Sequence, residues 1–211
     1  MKTIAFTQRI ENYKKTNEVR DCLDQRWINL ANKLKLSPLI LPNINPKNIQ
    51  KLFLKNKPDI IVLTGGNDIH LENIKKNINT FKVRDNFEIG LIKYAIKESI
   101  PLLGVCRGMQ ILNIFFKGKI SRIKNHVNKN HKITFLKEYK DIFTNNVNSF
   151  HNWGIKRKEL GFELREIAND DLGNIESFIH NKKSIIGIMW HPERRTSNKD
   201  LIFFKKLINS K

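Results

Sequence analysis

The chain has 211 residues, 40% of them hydrophobic, which suits a packed globular interior and excludes a disordered chain. Lys and Arg total 39 against 20 Asp and Glu, a net charge of +19. The lysines are spread along the chain, with no Arg-rich arm, aromatic-interleaved basic motif or zinc-finger spacing, and this argues against nucleic acid as the partner. Two readings of the charge stay open: a field that draws in an anionic small molecule, or a compositional bias towards Lys, Asn and Ile.

In chain order, Thr3–Thr7 reads as a strand and the stretch from about Asp21 to Leu34 as a helix, with Leu23, Trp27, Leu30 and Leu34 at three-to-four spacing. Leu39–Leu41 is a short buried strand between Pro38 and Pro42, and a helix follows near Ile49–Leu54. Asp59–Leu63 is an unbroken apolar run of the kind that parallel strands covered on both faces require. An amphipathic helix over Asp85–Ile96 precedes a buried strand, Pro101–Val105, and a helix from Met109 to Phe116. This rhythm predicts an α/β fold with a mostly parallel, doubly wound sheet flanked by helices.

The segment Lys119–Lys140 is basic and polar. Strands are expected near Ile133–Phe135, Phe162–Ile167, Ile175–Phe178 and Ile185–Met189, and a closing helix near Lys199–Ile208. No repeat or linker interrupts the pattern, so a single domain over residues 1–211 is expected. Cys22 and Cys106 are too few for a disulfide framework. The start, MKTIAFTQRI, lacks the apolar core of a signal peptide. The apolar runs fall far short of the roughly 20 residues that span a bilayer. A soluble cytoplasmic protein is the expectation.

Four motifs carry chemistry. Gly104-Val105-Cys106-Arg107-Gly108 sets a nucleophile between a strand and a helix, flanked by glycines, which is the logic of a nucleophile elbow. The helix N-terminus favours a thiolate and offers backbone N–H groups to an oxyanion. Taken alone, a buried structural cysteine fits as well. Gly187 to Glu193 ends an apolar strand at His191-Pro192-Glu193, where His191 can act as general base and Glu193 can hold its imidazole; alone, such a tripeptide reads as a surface turn. Leu63-Thr64-Gly65-Gly66-Asn67-Asp68 lets backbone approach a ligand, and the Gly66 N–H could complete an oxyanion hole with that of Arg107. Val147 to Gly154 gathers polar and aromatic residues without strand or helix periodicity, as a substrate-contact loop or an ordinary surface loop would. Three of these motifs end predicted parallel strands, where open α/β sheets bind ligands. Cys22, on the predicted first helix, is expected to be a packing residue.

That order of motifs resembles the class I glutamine amidotransferases, and within them the stand-alone γ-glutamyl hydrolases of the γ-glutamyl-GABA hydrolase type. Leu63–Asp68 resembles the family's oxyanion loop, Arg84-Asp85-Asn86-Phe87-Glu88 its Arg-Asp-x-x-Glu helix start, Pro101–Gln110 its nucleophile strand and elbow, Val147–Trp153 its Ser-x-His loop, and Gly187–Glu193 its His-Pro-Glu strand. The resemblance implies a Cys106–His191–Glu193 triad, an oxyanion hole from Gly66 and Arg107, and a γ-glutamyl thioester released as glutamate. It also implies that Gln110 and the loop carrying Ser149, Phe150, His151 and Trp153 hold the glutamyl group. No metal or cofactor is implied.

The chain departs from that pattern at Met189, where many relatives have Gln, at Asn152-Trp153 in place of His-Gln, and at Ile69-His70-Leu71, which lacks a proline. Thr7-Gln8-Arg9 and Arg20 to Trp27 resemble a branch found with sugar-modification enzymes, one of whose activities is hydrolysis of γ-glutamyl-CDP-amidate on the way to capsule phosphoramidate. There Arg9, Arg20 or Arg26 could meet phosphates. The partner expected is therefore a small, anionic γ-glutamyl compound, with no nucleic acid and no membrane, acting on a monomer or homodimer. The rivals are a γ-glutamyl-GABA hydrolase, a glutaminase subunit that feeds ammonia to a synthetase, a dead-site binding protein and, from charge alone, a nucleic-acid binder.

Overall fold

A computed structural model describes residues 1–70, 81–140, 142 and 144–209; Leu71 of the Ile69-His70-Leu71 string lies outside them. The elements in order are β1 (Thr3–Thr7), β2 (Arg9–Tyr13), β3 (Glu18–Cys22), α1 (Gln25–Leu34), β4 (Ser37–Leu41), α2 (Ile49–Leu52), β5 (Ile60–Leu63), α3 (Lys82–Lys97), β6 (Leu102–Val105) and α4 (Arg107–Phe115). Then come β7 (Ser121–Arg122), β8 (Val127–Phe135), β9 (Asn146–Phe150), β10 (Trp153–Gly154), β11 (Leu164–Asp170), β12 (Ile175–His180), β13 (Ile185–Ile188) and α5 (Asn198–Ile208).

Nine strands form one sheet in the order β4-β1-β5-β6-β13-β12-β11-β8-β9. The pairs from β4 to β13 are parallel, and those from β13 to β9 are antiparallel. The doubly wound α/β architecture therefore carries a second, antiparallel half rather than a sheet parallel throughout. The parallel half alternates strictly. Ile4, Phe6, Ile60, Val62, Leu103 and Val105 pack on one face with Trp27 and Leu30 of α1 and Phe204 and Leu207 of α5. Ala5, Ile61, Leu63 and Leu102 pack on the other with Phe87, Leu91 and Ile92 of α3 and Met109 and Leu112 of α4. A period of two with both faces apolar reads in sequence as an unbroken run, which is why IIVL and LLGV stand out.

Helix boundaries follow local chemistry. Asp24 caps α1 by accepting from Arg26 N at 3.0 Å, and Lys35 ends it with φ 58°. Ser197 and Asp200 form a capping box on α5. No described helix is long and apolar enough to cross a membrane.

Two expectations are corrected. Residues 21 and 22 are not helical: they end β3, which pairs with β2 in a separate antiparallel hairpin. This hairpin is mostly exposed and lacks an apolar alternation to betray it. It is tied down by Asn67, whose side chain accepts from Ile10 N (2.8 Å) and donates to Ile10 O (2.9 Å). Residues 146–150 are not a loop but β9, the sheet's edge strand, with Val147, Asn148 and Ser149 buried. Three of the five residues of β9 are polar and meet polar partners, so the hydrophobic period is missing although the strand is present.

Candidate active site

Sheet order and register gather three of the motifs. Gly104 is level with Leu63 on one side and Gly187 on the other, and Val105 is level with Ile188. The chain that leaves β5, β6 and β13 thus emerges at one edge as the glycine loop, the cysteine and the His-Pro-Glu string. Cys106 takes φ 52° and ψ −105°, a positive φ that costs a side chain strain and that aims it out of the strand-to-helix turn. Its N–H donates to Ile188 O (2.8 Å), and its carbonyl accepts from Gln110 N (3.1 Å). The turn can be this tight only because a β-carbon at position 108 would lie 1.9 Å from Leu63 O and one at 104 would lie 2.5 Å from Gly108 O.

His191 and Glu193 are buried, and Nδ1 of His191 lies 2.7 Å from Glu193 Oε1. With Nδ1–H given to the carboxylate, the other ring nitrogen is turned to the nucleophile. A β-carbon at position 65 would sit 2.7 Å from His191 Cε1, 3.5 Å from His191 Nε2 and 3.6 Å from Cys106 Cβ, so the glycine loop runs against both residues. Burial alone would lower the His191 pKa; the negative charge and hydrogen bond of Cys106, then those of Glu193, outweigh it and lift it to about 9. The imidazole therefore holds its proton at neutral pH beside the Cys106 sulfur. His151, by contrast, is lowered to about 3, first by burial and then by His126, and stays neutral.

A buried ionic network supports the glycine loop. The Arg84 guanidinium donates to the carbonyls of Thr64 (2.8 Å), Gly65 (3.1 Å) and Gly66 (2.5 Å) and to Glu88 Oε1 (3.0 Å). With its carbonyls drawn towards Arg84, the loop is free to turn N–H groups to the opposite side. Arg107 directs its side chain away from the site, onto Asp85 and Glu88, so only its backbone faces the cysteine. Thr7 Oγ1 donates to Glu88 at 2.8 Å and His70 N to Asp85 at 2.9 Å, leaving every carboxylate oxygen partnered. Burial would raise Glu88, but Arg107 and Arg84 hold it below the usual carboxylate range; Arg84 itself is lowered by burial to about 10 and stays charged.

The remaining expected residues divide. Phe150 stands edge-on to the His191 ring at 5.7 Å with Arg194 over it at 4.1 Å, and Arg9 leans on Gly66. Arg9, Cys22, Asp24, Gly66, His191 and Arg194 line one small cavity. Cys22 is thus at the rim of the site, not in a helix packing against the core; burial, then Glu11, raise its thiol pKa. Gln110, Ser149, His151 and Trp153 turn elsewhere. Gln110 donates to Trp153 O (2.9 Å), Ser149 to His126 O (2.6 Å), and His151 Nδ1 lies 3.0 Å from Trp153 O. Trp153 is buried in β10 with Arg122 over its ring at 5.3 Å.

One residue of the Val147–Gly154 stretch, expected only as part of a substrate-contact loop, has a positioning role instead. Asn148 pairs with the His191 backbone twice, accepting from its N–H (2.8 Å) and donating to its carbonyl (2.9 Å). Nothing local marks it, since the contact spans 43 residues. The support of the glycine loop did leave a signal: Arg84 and Glu88, charges four apart, sit on the buried side of a helix.

The family model described as peptidase C26 matches residues 3–193. The chain belongs to the peptidase C26 family. It is 35% identical over 206 residues to a γ-glutamyl-CDP-amidate hydrolase of Campylobacter jejuni, covering 96% of each chain. It is also 29% identical over 165 residues to a glutamine-hydrolyzing GMP synthase chain of Methanococcus aeolicus, covering 76% of this chain and 77% of that one. Among solved structures, a glutamine amidotransferase from Thermotoga maritima superposes with a TM-score of 0.65 at 18% identity, over 99% of this chain and 84% of the other. This peptidase C26 member thus has the fold of the class I glutamine amidotransferases, and its relatives support a hydrolase.

Proposed function

We propose that this chain is a cysteine-dependent hydrolase that cleaves a γ-glutamyl amide through a γ-glutamyl thioester, with Cys106, His191 and Glu193 as its triad. The observation that carries the reading is the register of β6 with β13, which sets a cysteine at φ 52° beside a buried, carboxylate-held histidine at adjacent strand ends. The Cys106 thiolate attacks the γ-carbonyl, and its oxygen gathers charge near the backbone N–H groups of Gly66 and Arg107. His191, protonated at neutral pH, gives its proton to the leaving nitrogen as the tetrahedral adduct collapses. The neutral imidazole then takes a proton from water, which attacks the thioester and frees glutamate and the thiolate.

For the leaving group we favour a nucleotide amidate, as in γ-glutamyl-CDP-amidate. The relative named for that substrate matches over 96% of this chain. Arg9 and Arg194 line the cavity beside His191, where they could meet phosphates. The net charge of +19 would draw such an anion in. The second reading, a glutaminase subunit feeding a synthetase, is favoured by the GMP synthase relatives. A γ-glutamyl-GABA substrate would offer Arg9 and Arg194 only the single carboxylate of its leaving group, against the two phosphates of a CDP-amidate.

Glutamate release from γ-glutamyl-CDP-amidate, γ-glutamyl-GABA, glutamine and a γ-glutamyl anilide, with Cys106→Ser as control, tests this. Release that needs Cys106 and is fastest per KM with the CDP-amidate is expected. Glutamine as the best substrate would select the second reading, and equal release by Cys106→Ser would reject the nucleophile.

A further inference from the structure

The antiparallel half of the sheet, beside β9, buries a second group of polar side chains. His126, His131, Asp170 and Glu176 each bring a nitrogen or carboxylate oxygen to one spot, all within 4.8 Å of one another. His126 Nδ1 lies 2.8 Å from Lys124 O, so that nitrogen carries the proton and donates it to the carbonyl. In a neutral ring the other nitrogen, Nε2, then presents a lone pair, and it faces Asp170 Oδ2 at 2.8 Å. Glu176 is 1% exposed, and among the described residues neither of its oxygens has a hydrogen-bond partner; His131 Nε2, a buried atom likewise without one, lies in ion-pair range of Oε2 at 3.4 Å. His151 repeats the pattern at the margin, with Nδ1 on Trp153 O and an unpartnered Nε2 3.8 Å from Glu176 Oε1. Lone pairs buried face to face repel and forgo hydrogen bonds unless a proton or a metal cation lies between them.

We propose that His126, His131, Asp170 and Glu176 bind one divalent transition-metal ion of the zinc class, in a closed structural site. Two imidazoles and two carboxylates suit such an ion, whose bond lengths of about 2.0–2.2 Å put tetrahedral ligand atoms about 3.3 Å apart. The 2.8 Å and 3.4 Å separations bracket that value. The supports that fix metal ligands are present as well: Lys124 O orients His126, and Asp170 accepts from Asn174 N and Nδ2, both at 2.7 Å. The four ligands come from β8, the turn before it, β11 and β12. The carbonyl of His126 accepts from Ser149 Oγ and His151 N, so the ion would brace the strand whose Asn148 holds the His191 backbone. The ion would sit behind the reaction centre and contact no reacting atom.

The test is metal analysis of tag-free protein purified in metal-depleted buffer and then equilibrated with Zn²⁺ or Co²⁺. About one zinc per chain is expected, with a melting temperature that rises on zinc addition and the visible bands of a four-coordinate Co²⁺. Cys106→Ser should keep that metal, whereas Glu176→Gln and His126→Gln should lose most of it. No saturable zinc binding by the wild-type chain overturns the proposal. So does zinc that is lost in Cys106→Ser but kept in Glu176→Gln, because the ion would then belong to the cysteine–histidine pair. Both readouts are independent of turnover, so the site can stand or fall apart from the proposed activity.

Discussion

The reaction centre lies between two buried polar regions that are built differently. On the nucleophile side, Arg84, Asp85, Glu88 and Arg107 form a closed network in which each carboxylate oxygen meets a donor, and the network's product is a fixed glycine loop. On the histidine side, Asn148 holds His191 by two hydrogen bonds, and nearby lie the Glu176 oxygens and the Nε2 atoms of His131 and His151, which have no hydrogen-bond partner among the described residues. The contrast teaches that burial of charge has two meanings. Where every carboxylate oxygen meets a donor, the group is scaffold; where buried oxygens and ring nitrogens lack hydrogen-bond partners, the group is a candidate for binding.

If the two sides divide the work in this way, substitutions should separate rate from stability. The largest effect is expected at His191→Ala: a loss of about 10³-fold or more in kcat/KM, read by steady-state kinetics. A near-normal rate there, with His151→Ala inactive, would exchange the roles of the two histidines. Next comes Glu88→Gln, which leaves Arg84 and Arg107 buried without their shared carboxylate and should cost about 3–5 kcal/mol in urea unfolding. A stability loss below about 1 kcal/mol, a surface pair's worth, would show that the network is not the closed scaffold described.

Smaller is the effect of Asn148→Ala, a positioning change expected to lower kcat by about 10–100-fold with KM little altered, as losses of a ligand's support do in comparable sites. A KM-only effect would make Asn148 a substrate contact instead.

The finest test is pH. Because the folded pKa of His191 is raised to about 9, its proton is held through neutrality, and kcat/KM should fall as pH climbs through about 9. The stabilisation linked to that proton is complete below the unfolded value of 6.5 and is lost as pH rises through about 9. Glu193→Gln removes one of the causes of the rise, so its alkaline limb should move to lower pH; an unmoved limb would mean that Glu193 does not act through His191.

Much of this was legible in the chain itself. The runs IIVL and LLGV, the glycines flanking Cys106 and the apolar strand leading into Trp190-His191-Pro192-Glu193 are local patterns. Local patterns report burial, turn geometry and the order of elements without reference to distant residues. The helices expected from about Asp21, Asp85 and Lys199 were legible too, since their apolar faces repeat at helical spacing, although the first begins only at Gln25.

What the tertiary structure alone decided is who stands beside whom. Nothing in the sequence places β13 next to β6, nor turns Ser149 and Gln110 away from the cysteine, nor sets Arg9 and Cys22 on the rim through a hairpin with no hydrophobic period. Asn148 reaches His191 across 43 residues, and Asp170 reaches His126 across 44. Polar pairing of that kind leaves no periodicity behind, because a hydrogen bond depends on direction and distance between two particular groups, while the hydrophobic pattern records only that a side chain is out of water.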